Sequence, residues 1–328
     1  MVVAASPSPS IIVHSHCGGV FQGAVASTQG RRPSYEDAYA ITSEEETCYF
    51  WIFDGHRGDG AARFAAELLG SEEFSPSKAL PSNRRIRRAF ETIDQRLREH
   101  LERAQCKAGS TAVGALVAQE SDGRFAAKLV NCGDSRCVVI RAPEESQQEA
   151  SHIEVKLPAT LSNFCEHFTF SEASWLPEWP AVVETIDHKP GLWFERARIE
   201  AAGGTVCGGK TARLDGNLAV SRSLGDFDFK NHRGPASEQK VSCLPDIYEV
   251  AGLPDRSLLL LACDGLWDAI STEEAAEFVR ERLQSTSPME LADIARELVG
   301  FSLDAKTRDN VTVLLVQLSQ GQEVSEAE

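Results

Sequence analysis

Apolar and polar positions along the chain follow two different periods, and the switches between them mark the elements. Val20 to Ser27 and Ala38 to Thr42 read as short strands, and Cys48 to Phe53 (CYFWIF) is an apolar run that fits a buried strand. The run stops at Asp54-Gly55, a turn signal, after which Gly60 to Leu69 takes up helical spacing behind Asp59, a candidate N-cap. From Ile86 through Phe90, Ile93, Leu97 and Leu101 the apolar residues recur at three- and four-residue intervals, which predicts a long amphipathic helix. Its opening, NRRIRR, reads as a solvated helix face, the alternative being a nuclear-import or anion-binding patch.

Ala112 to Ala118, Phe125 to Val130 and Arg136 to Arg141 alternate or run apolar between polar turns, the pattern of an antiparallel meander. Beyond Arg141 the periodicity dissolves. The stretch at about 142–182 mixes Glu, Gln, Ser and Pro with Phe168, Trp175 and Trp179, and is too long for an ordinary connection. It reads as an insertion whose aromatics either pack on the domain surface or dock a partner. Glu195 to Ala202 follows as a helix ended by Gly203-Gly204, then a strand from Leu258 to Ala262 ended by Asp264-Gly265. Helices at Thr272 to Leu283 and Met289 to Leu298 and a strand at Val311 to Leu318 close the pattern. Strands and helices do not strictly alternate, which argues for α+β layers over a doubly wound parallel sheet. The expected organisation is an N-terminal extension (1–19), a single domain (20–319) carrying the insertion, and an acidic tail (320–328).

Composition narrows the function. With 328 residues, 42% of them apolar, the chain can bury one large core. The net charge of −16 disfavours nucleic acid and anionic lipid as partners, because both are drawn by clustered Lys and Arg. A phosphate-bearing substrate would need local positive charge, which bound cations supply most readily in an acidic protein. Nine cysteines are scattered without a CxxC pair, so reduced thiols and an intracellular setting, cytoplasmic or nuclear, fit better than zinc fingers or disulfides. The amino terminus lacks a basic segment followed by a sustained apolar stretch, and Val2 stands where myristoylation requires glycine. No signal peptide or membrane span is expected, and the chain is expected to act as a monomer.

Acidic residues share one local grammar. Glu36-Asp37 in RRPSYEDA, Asp54 in WIFDGHRG, Asp264 in LLLLACDGLWD and Asp309 in TRDNVTVLLV each sit at the edge of an apolar strand or tight turn. Carboxylates held there are partly desolvated and costly unless a cation neutralises them. Hard oxygen ligands suit Mg2+ or Mn2+, and two such ions about 3.5–4 Å apart activate a water and clamp a phosphoryl group. Any one Asp-Gly is most often a plain turn; the combination carries the reading.

The strings QGRRPSYEDA, FDGHRG, GSTA, NCGDSR, DHKP, NLAVSRSLGDF, ACDGLWD and RDNVTV cover nearly the whole chain in order. With them the chain resembles the 2C-type (PPM) metal-dependent serine/threonine protein phosphatases. The resemblance implies a central antiparallel β-sandwich flanked by helices on both faces, in four layers α-β-β-α. It implies that Glu36, Asp54, Asp264, Asp309 and the carbonyl of Gly55 hold the paired metals, with Asp37 beside them. Arg32 takes the place of the phosphate-binding arginine, and His56 that of the general acid, an imidazole titrating near pH ~6.5. Asp134 and Asp268 match a weaker third metal site that includes Asp264; the other reading of Asp134 is an Asx turn. His188, Asn217, Ser221, Arg222 and Asp226 fall in matched motifs with an architectural role.

Two positions depart from the family's pattern: Tyr35 replaces methionine and Arg57 replaces glycine. Arg57 either adds a cation near the substrate or points into solvent, and a positive φ there costs about 1–2 kcal/mol. The implied activity is hydrolysis of phosphoserine and phosphothreonine in proteins without a phosphoenzyme. Two alternatives compete with it. An inactive pseudophosphatase acting as a binding module would be expected to have lost metal ligands, and a two-metal nuclease would need a basic groove.

Overall fold

The computed structural model describes residues 10–71, 74, 76–77, 79–142, 153–162, 181–209, 211–231, 234–285, 287 and 289–320. Phe168, Trp175, Trp179, Val2 and residues 321–328 of the acidic tail lie outside them. In chain order the strands are β1 (Ile12–Gly18), β2 (Phe21–Thr28), β3 (Ala38–Glu44), β4 (Thr47–Phe53), β5 (Gly55–His56), β6 (Gly109–Ser110), β7 (Ala112–Gln119), β8 (Phe125–Cys132) and β9 (Arg136–Ile140). They continue as β10 (Glu154–Lys156), β11 (Ala181–Glu184), β12 (Val206–Cys207), β13 (Arg213–Leu214), β14 (Leu224–Gly225), β15 (Asp246–Leu253), β16 (Leu258–Ala262) and β17 (Val311–Leu318). The helices are α1 (Gly60–Leu69), α2 (Asn83–Ala104), α3 (Ala159–Ser162), α4 (Trp193–Ala201), α5 (Asp264–Trp267), α6 (Thr272–Gln284) and α7 (Leu291–Asp304).

Two six-stranded antiparallel sheets dominate, ordered β1-β2-β17-β16-β9-β11 and β10-β15-β8-β7-β4-β3. Side chains alternate across each strand, so a strand covered on both faces must be apolar throughout. In β4, Phe50 and Ile52 enter the layer between the sheets with Leu129, Leu259 and Leu314, while Tyr49, Trp51 and Phe53 pack with Ile86, Phe90 and Leu97 of α2. In β16, Leu259 and Leu261 face the same inner layer, and Leu258, Leu260 and Ala262 pack with Val279, Ile294 and Leu298 of α6 and α7. Each fully buried side chain of this kind contributes about 1.5–3 kcal/mol. The result is the four-layer α-β-β-α arrangement expected from the resemblance.

The antiparallel meander is corrected. β7 and β8 pair as a hairpin, but β9 belongs to the other sheet, between β16 and β11. The NCGDS turn therefore crosses between the sheets, with Gly133 at φ +128. Local alternation identifies strands but carries no information on which sheet a strand joins.

Two segments missed by periodicity complete the sheets. β15 lies between β10 and β8, and a register shift between Val250 and Leu253 interrupts its alternation. β1 pairs with β2 from Ile12 to Gly18 as a half-exposed edge strand with too little apolar content to signal itself, so a boundary at residue 20 falls beside a hairpin turn. Within the expected insertion, β10 adds an edge to one sheet and β11, starting at Ala181, an edge to the other. Asp59 precedes α1 without a side-chain cap bond, its carboxylate pairing instead with Arg63 at 3.1 Å.

Candidate active site

Strand order and direction bring the ends of distant segments to one end of the sandwich. β4 runs into Asp54, and the neighbouring β3 is preceded by Glu36-Asp37. In the facing sheet β16 runs into Asp264, the first residue of α5, beside β17, which follows Asp309. Glu36, Asp54, Asp264 and Asp309 line one cavity of about 390 Å³, together with Arg32, Gly55, His56, Arg57 and Asp134, while Asp37 lies buried behind them and does not line it. Asn217, Leu218, Ala219 and Val220 form another wall of it. Leu218 and Val220 are fastened by packing with Ile199, Leu214 and Val241.

Asp54 is set by reciprocal bonds to Thr111: its N–H donates to the threonine Oγ1 at 3.1 Å, and its carbonyl accepts from the threonine N–H at 2.9 Å. The chain does not pass straight from Asp54 into a helix. It forms β5, which joins β6 and β14 in a small separate sheet. Gly55 must lack a side chain, because a Cβ there would stand 2.3 Å from the carbonyl oxygen of Glu36.

Asn310 stitches the first loop to the last. Its Nδ2 donates to the carbonyls of Gln29 and Ser34 at 2.8 and 3.0 Å, and its Oδ1 accepts from the Glu36 N–H at 2.8 Å. Asp309 accepts from the Asn310 N–H at 2.8 Å and from Arg32 Nη2 at 2.5 Å. Glu36 accepts from Ser34 Oγ at 2.7 Å.

Asp37 is buried. One oxygen accepts from Thr312 Oγ1 at 2.6 Å and the other has no partner among the described residues. Since the Thr312 proton is given to Asp37, the Tyr35 hydroxyl, 2.8 Å from Thr312 Oγ1, donates to that oxygen. The phenol that replaces a methionine is thus the outer member of a chain ending on Asp37.

Burial and mutual repulsion hold Asp54 and Asp264 well above the usual carboxylate range, Asp54 chiefly against Asp264 and Asp264 against Asp134. Asp37 is likewise raised, first by burial. Acidic groups this close cannot all ionise without added positive charge. A hard divalent cation suits an all-oxygen set containing an orphaned buried carboxylate oxygen. Ligand-type atoms of Asp37, Asp54 and Cys263 lie within 4.8 Å of one another. The Cys263 thiol is held well above its usual range by burial and donates to the Asn310 carbonyl at 3.5 Å, so it stays protonated and leaves ligation to oxygen.

The remaining candidates divide. Asp134 is buried in the NCGDS turn and accepts from Lys189 Nζ at 2.5 Å, so an ammonium already sits on it. Asp268 is exposed at the end of α5 and does not line the cavity, although its charge helps to raise Asp264. Nothing in the two motifs flags Lys189 as the partner of Asp134.

His56 sits at the cavity edge with its Nε2 2.7 Å from Asp226 Oδ2. Burial alone would lower its pKa, but the charge and hydrogen bond of Asp226 carry it above the ordinary histidine value. Gly109 makes the pair possible, since a Cβ there would lie 2.2 Å from Asp226 Oδ2 and 2.5 Å from His56 Nε2. Asp226 was read from sequence as architectural; its contact with His56 bridges 170 positions and has no local signal. Arg222 and His188 do serve the framework. Arg222 donates to Glu195 and Asp246, and His188 accepts at Nδ1 from the Gly133 N–H, leaving Nε2–H to donate to Asp246.

A two-sheet sandwich with helices on both faces and a carboxylate-floored cleft at one end is the architecture of a metal-dependent phosphatase. The chain belongs to the protein phosphatase 2C family: the model for Protein phosphatase 2C matches residues 18–153 and 182–311. It is 32% identical to Protein phosphatase 1A of Homo sapiens over 320 residues, spanning 92% of this chain and 72% of that protein. It is 31% identical to Protein phosphatase 1B of Bos taurus, across 92% of this chain and 57% of the relative. Among solved structures, a phosphatase from Toxoplasma gondii superposes with a TM-score of 0.74 at 23% identity, covering 97% of this chain and 98% of the other. A C. elegans sex determining protein superposes at 0.66 with 22% identity, covering 98% and 67%. The protein is a serine/threonine protein phosphatase of a metal-dependent family. Its two matched stretches leave 154–181 between them, inside the expected insertion.

Proposed function

We propose that this cleft hydrolyses phosphoserine and phosphothreonine monoesters of proteins at a pair of Mg2+ or Mn2+ ions, without a phosphoenzyme. The observation that carries the reading is the convergence of Glu36, Asp54, Asp264 and Asp309 with Arg32 and His56 on a single cavity. Glu36, Asp54, Asp264, Asp309 and the Gly55 carbonyl would hold the ions, and Asp37 would steady them from behind. When bound, the ions supply an activated water and positive charge against the phosphoryl oxygens.

The chain's own residues do the rest. Arg32 presents a planar fork to the phosphoryl oxygens once it leaves Asp309. His56 gives its Nε2–H to Asp226, which leaves Nδ1 to pass a proton to the departing serine or threonine oxygen. Burial works against the charged imidazole, but the charge and hydrogen bond of Asp226 outweigh it and favour the protonated, donating form. Cys263, the thiol beside the carboxylates, is buried and protonated, which favours direct attack by water over a thiol-phosphate intermediate. Asp134, with Asp268, would bind a further cation only in competition with Lys189.

The test is turnover of a phosphothreonine peptide with Mn2+ or Mg2+, abolished by chelation. Asp54→Ala and Asp264→Ala should remove the activity while circular dichroism shows a folded chain. Full activity in Asp54→Ala would sink the reading.

A further inference from the structure

Asp226 is wholly buried, and its Oδ2 is occupied twice, by His56 Nε2 at 2.7 Å and by Ser223 Oγ at 2.7 Å. Its Oδ1 is also buried and makes no hydrogen bond among the described residues. A buried carboxylate oxygen without a donor is costly, and no hydrogen bond among the described residues holds that side of the group. The cation facing it is Arg57, whose Nη1 lies 3.8 Å away. Arg57 adopts φ +62, the left-handed region that a glycine would enter without strain. Strained backbone of this kind persists where the surroundings over-determine it and collects at functional sites. The anchor is visible: Asp228 Oδ2 accepts from Arg57 Nη2 at 3.4 Å and from Lys107 Nζ at 3.1 Å, which holds the guanidinium across the mouth of the pair. Lys230, another cation near Asp226, is taken up by Asp94 at 2.7 Å.

We propose that Arg57 is a positioning residue: tethered by Asp228, it holds the free oxygen of Asp226 and thereby fixes the orientation of the His56 imidazole for proton delivery. The proposal rests on the reading of His56 as the general acid. It also answers what the arginine does, since its contacts run to Asp226 and Asp228 and not simply into solvent.

The test compares two substrates on the metal-loaded enzyme. A phosphoserine peptide leaves as an alkoxide that needs a proton, whereas p-nitrophenyl phosphate leaves as a stable phenolate that does not. Arg57→Gly suits the left-handed backbone, so folding is not at stake. It should lower kcat on the peptide on the order of tenfold, the range for coupled neighbours, and lower the ratio of peptide to aryl kcat with little change in peptide KM. Arg57→Lys should recover part of the ratio. In a His56→Ala background the same Arg57→Gly change should produce no further fall. An unchanged ratio in Arg57→Gly, an effect confined to KM, or an equal fall in the His56→Ala background would each overturn the proposal. His56→Ala alone separates the two levels: if it does not lower the peptide rate more than the aryl rate, the acid reading itself is at fault.

Discussion

Arg32, near the start of the chain, donates to Asp309, near its end, at 2.5 Å. The two residues named separately for phosphate binding and for metal binding are thus partners. A cation on Asp309 would compete with the guanidinium, so loading the carboxylates with metal would release Arg32 toward phosphate. Arg32 is more than half exposed at 54%, so the ion pair adds little to stability.

Arg32→Ala should therefore leave the melting temperature within a degree or so of the parent while raising KM for a phosphopeptide about 10- to 100-fold, the worth of a charge-assisted bond. Steady-state kinetics beside a thermal melt checks both halves. A large loss of stability with unchanged KM would contradict it.

Asp264→Asn should stabilise the metal-free protein. The folded state holds this carboxyl well above its usual range, chiefly by burial and by Asp134, so its contribution is present below the unfolded carboxylate pKa and is lost as pH rises from there through its raised folded value. At neutral pH the uncharged amide carries neither the desolvation penalty nor the repulsion that the acid meets there. In chelator the variant should melt above the parent, with the gap closing as pH falls below about 4, the unperturbed carboxylate value. With Mn2+ added the order should reverse, since ligand at 100 times its dissociation constant adds about 2.7 kcal/mol to the form that binds it.

Gly109→Ala should separate His56 from Asp226 by force. Its methyl group would occupy the space of their hydrogen bond. We expect kcat on a phosphoserine peptide to fall about 100-fold or more, within the range for lost general acid catalysis. A full-rate Gly109→Ala enzyme would show that the pair is not needed.

Asn310→Ala removes the bonds that tie Gln29, Ser34 and Glu36 to the last loop. Leaving these part-buried groups unpaired should cost about 1–3 kcal/mol, measured by urea denaturation. Since Arg32 and Glu36 ride on that loop, metal and substrate affinity should fall together.

Acid should loosen the framework before the sandwich. Glu195 and Asp246 are buried against Arg222 and held far below the usual carboxylate range, so their stabilisation exists above their unfolded pKa and is lost as pH falls through it toward their folded values. Stability should decline steeply below about pH 4, where the unfolded carboxylates take up protons. Arg222→Met should flatten that decline and lower stability at neutral pH.

Much of this protein was written locally. The unbroken apolar runs at Cys48–Phe53 and Leu258–Ala262 were legible because strands covered on both faces have no polar side, and each ends in a carboxylate because the chain there leaves the core. The helical spacing of α2 was equally plain. The carboxylates, Arg32 and His56 were named from motif and resemblance, and the fold brings most of them to one cavity.

What only the tertiary structure decided are relationships between segments. The assignment of β9 to the opposite sheet, the Asp226 support of His56, the Lys189 hold on Asp134 and the Asn310 stitch all join residues far apart in the chain. Hydrophobic periodicity is set by which face of an element is buried, and that can be read from neighbours in sequence. A hydrogen bond between a buried acid and a distant base depends on how two sheets stack, so it exists only once the layers have closed.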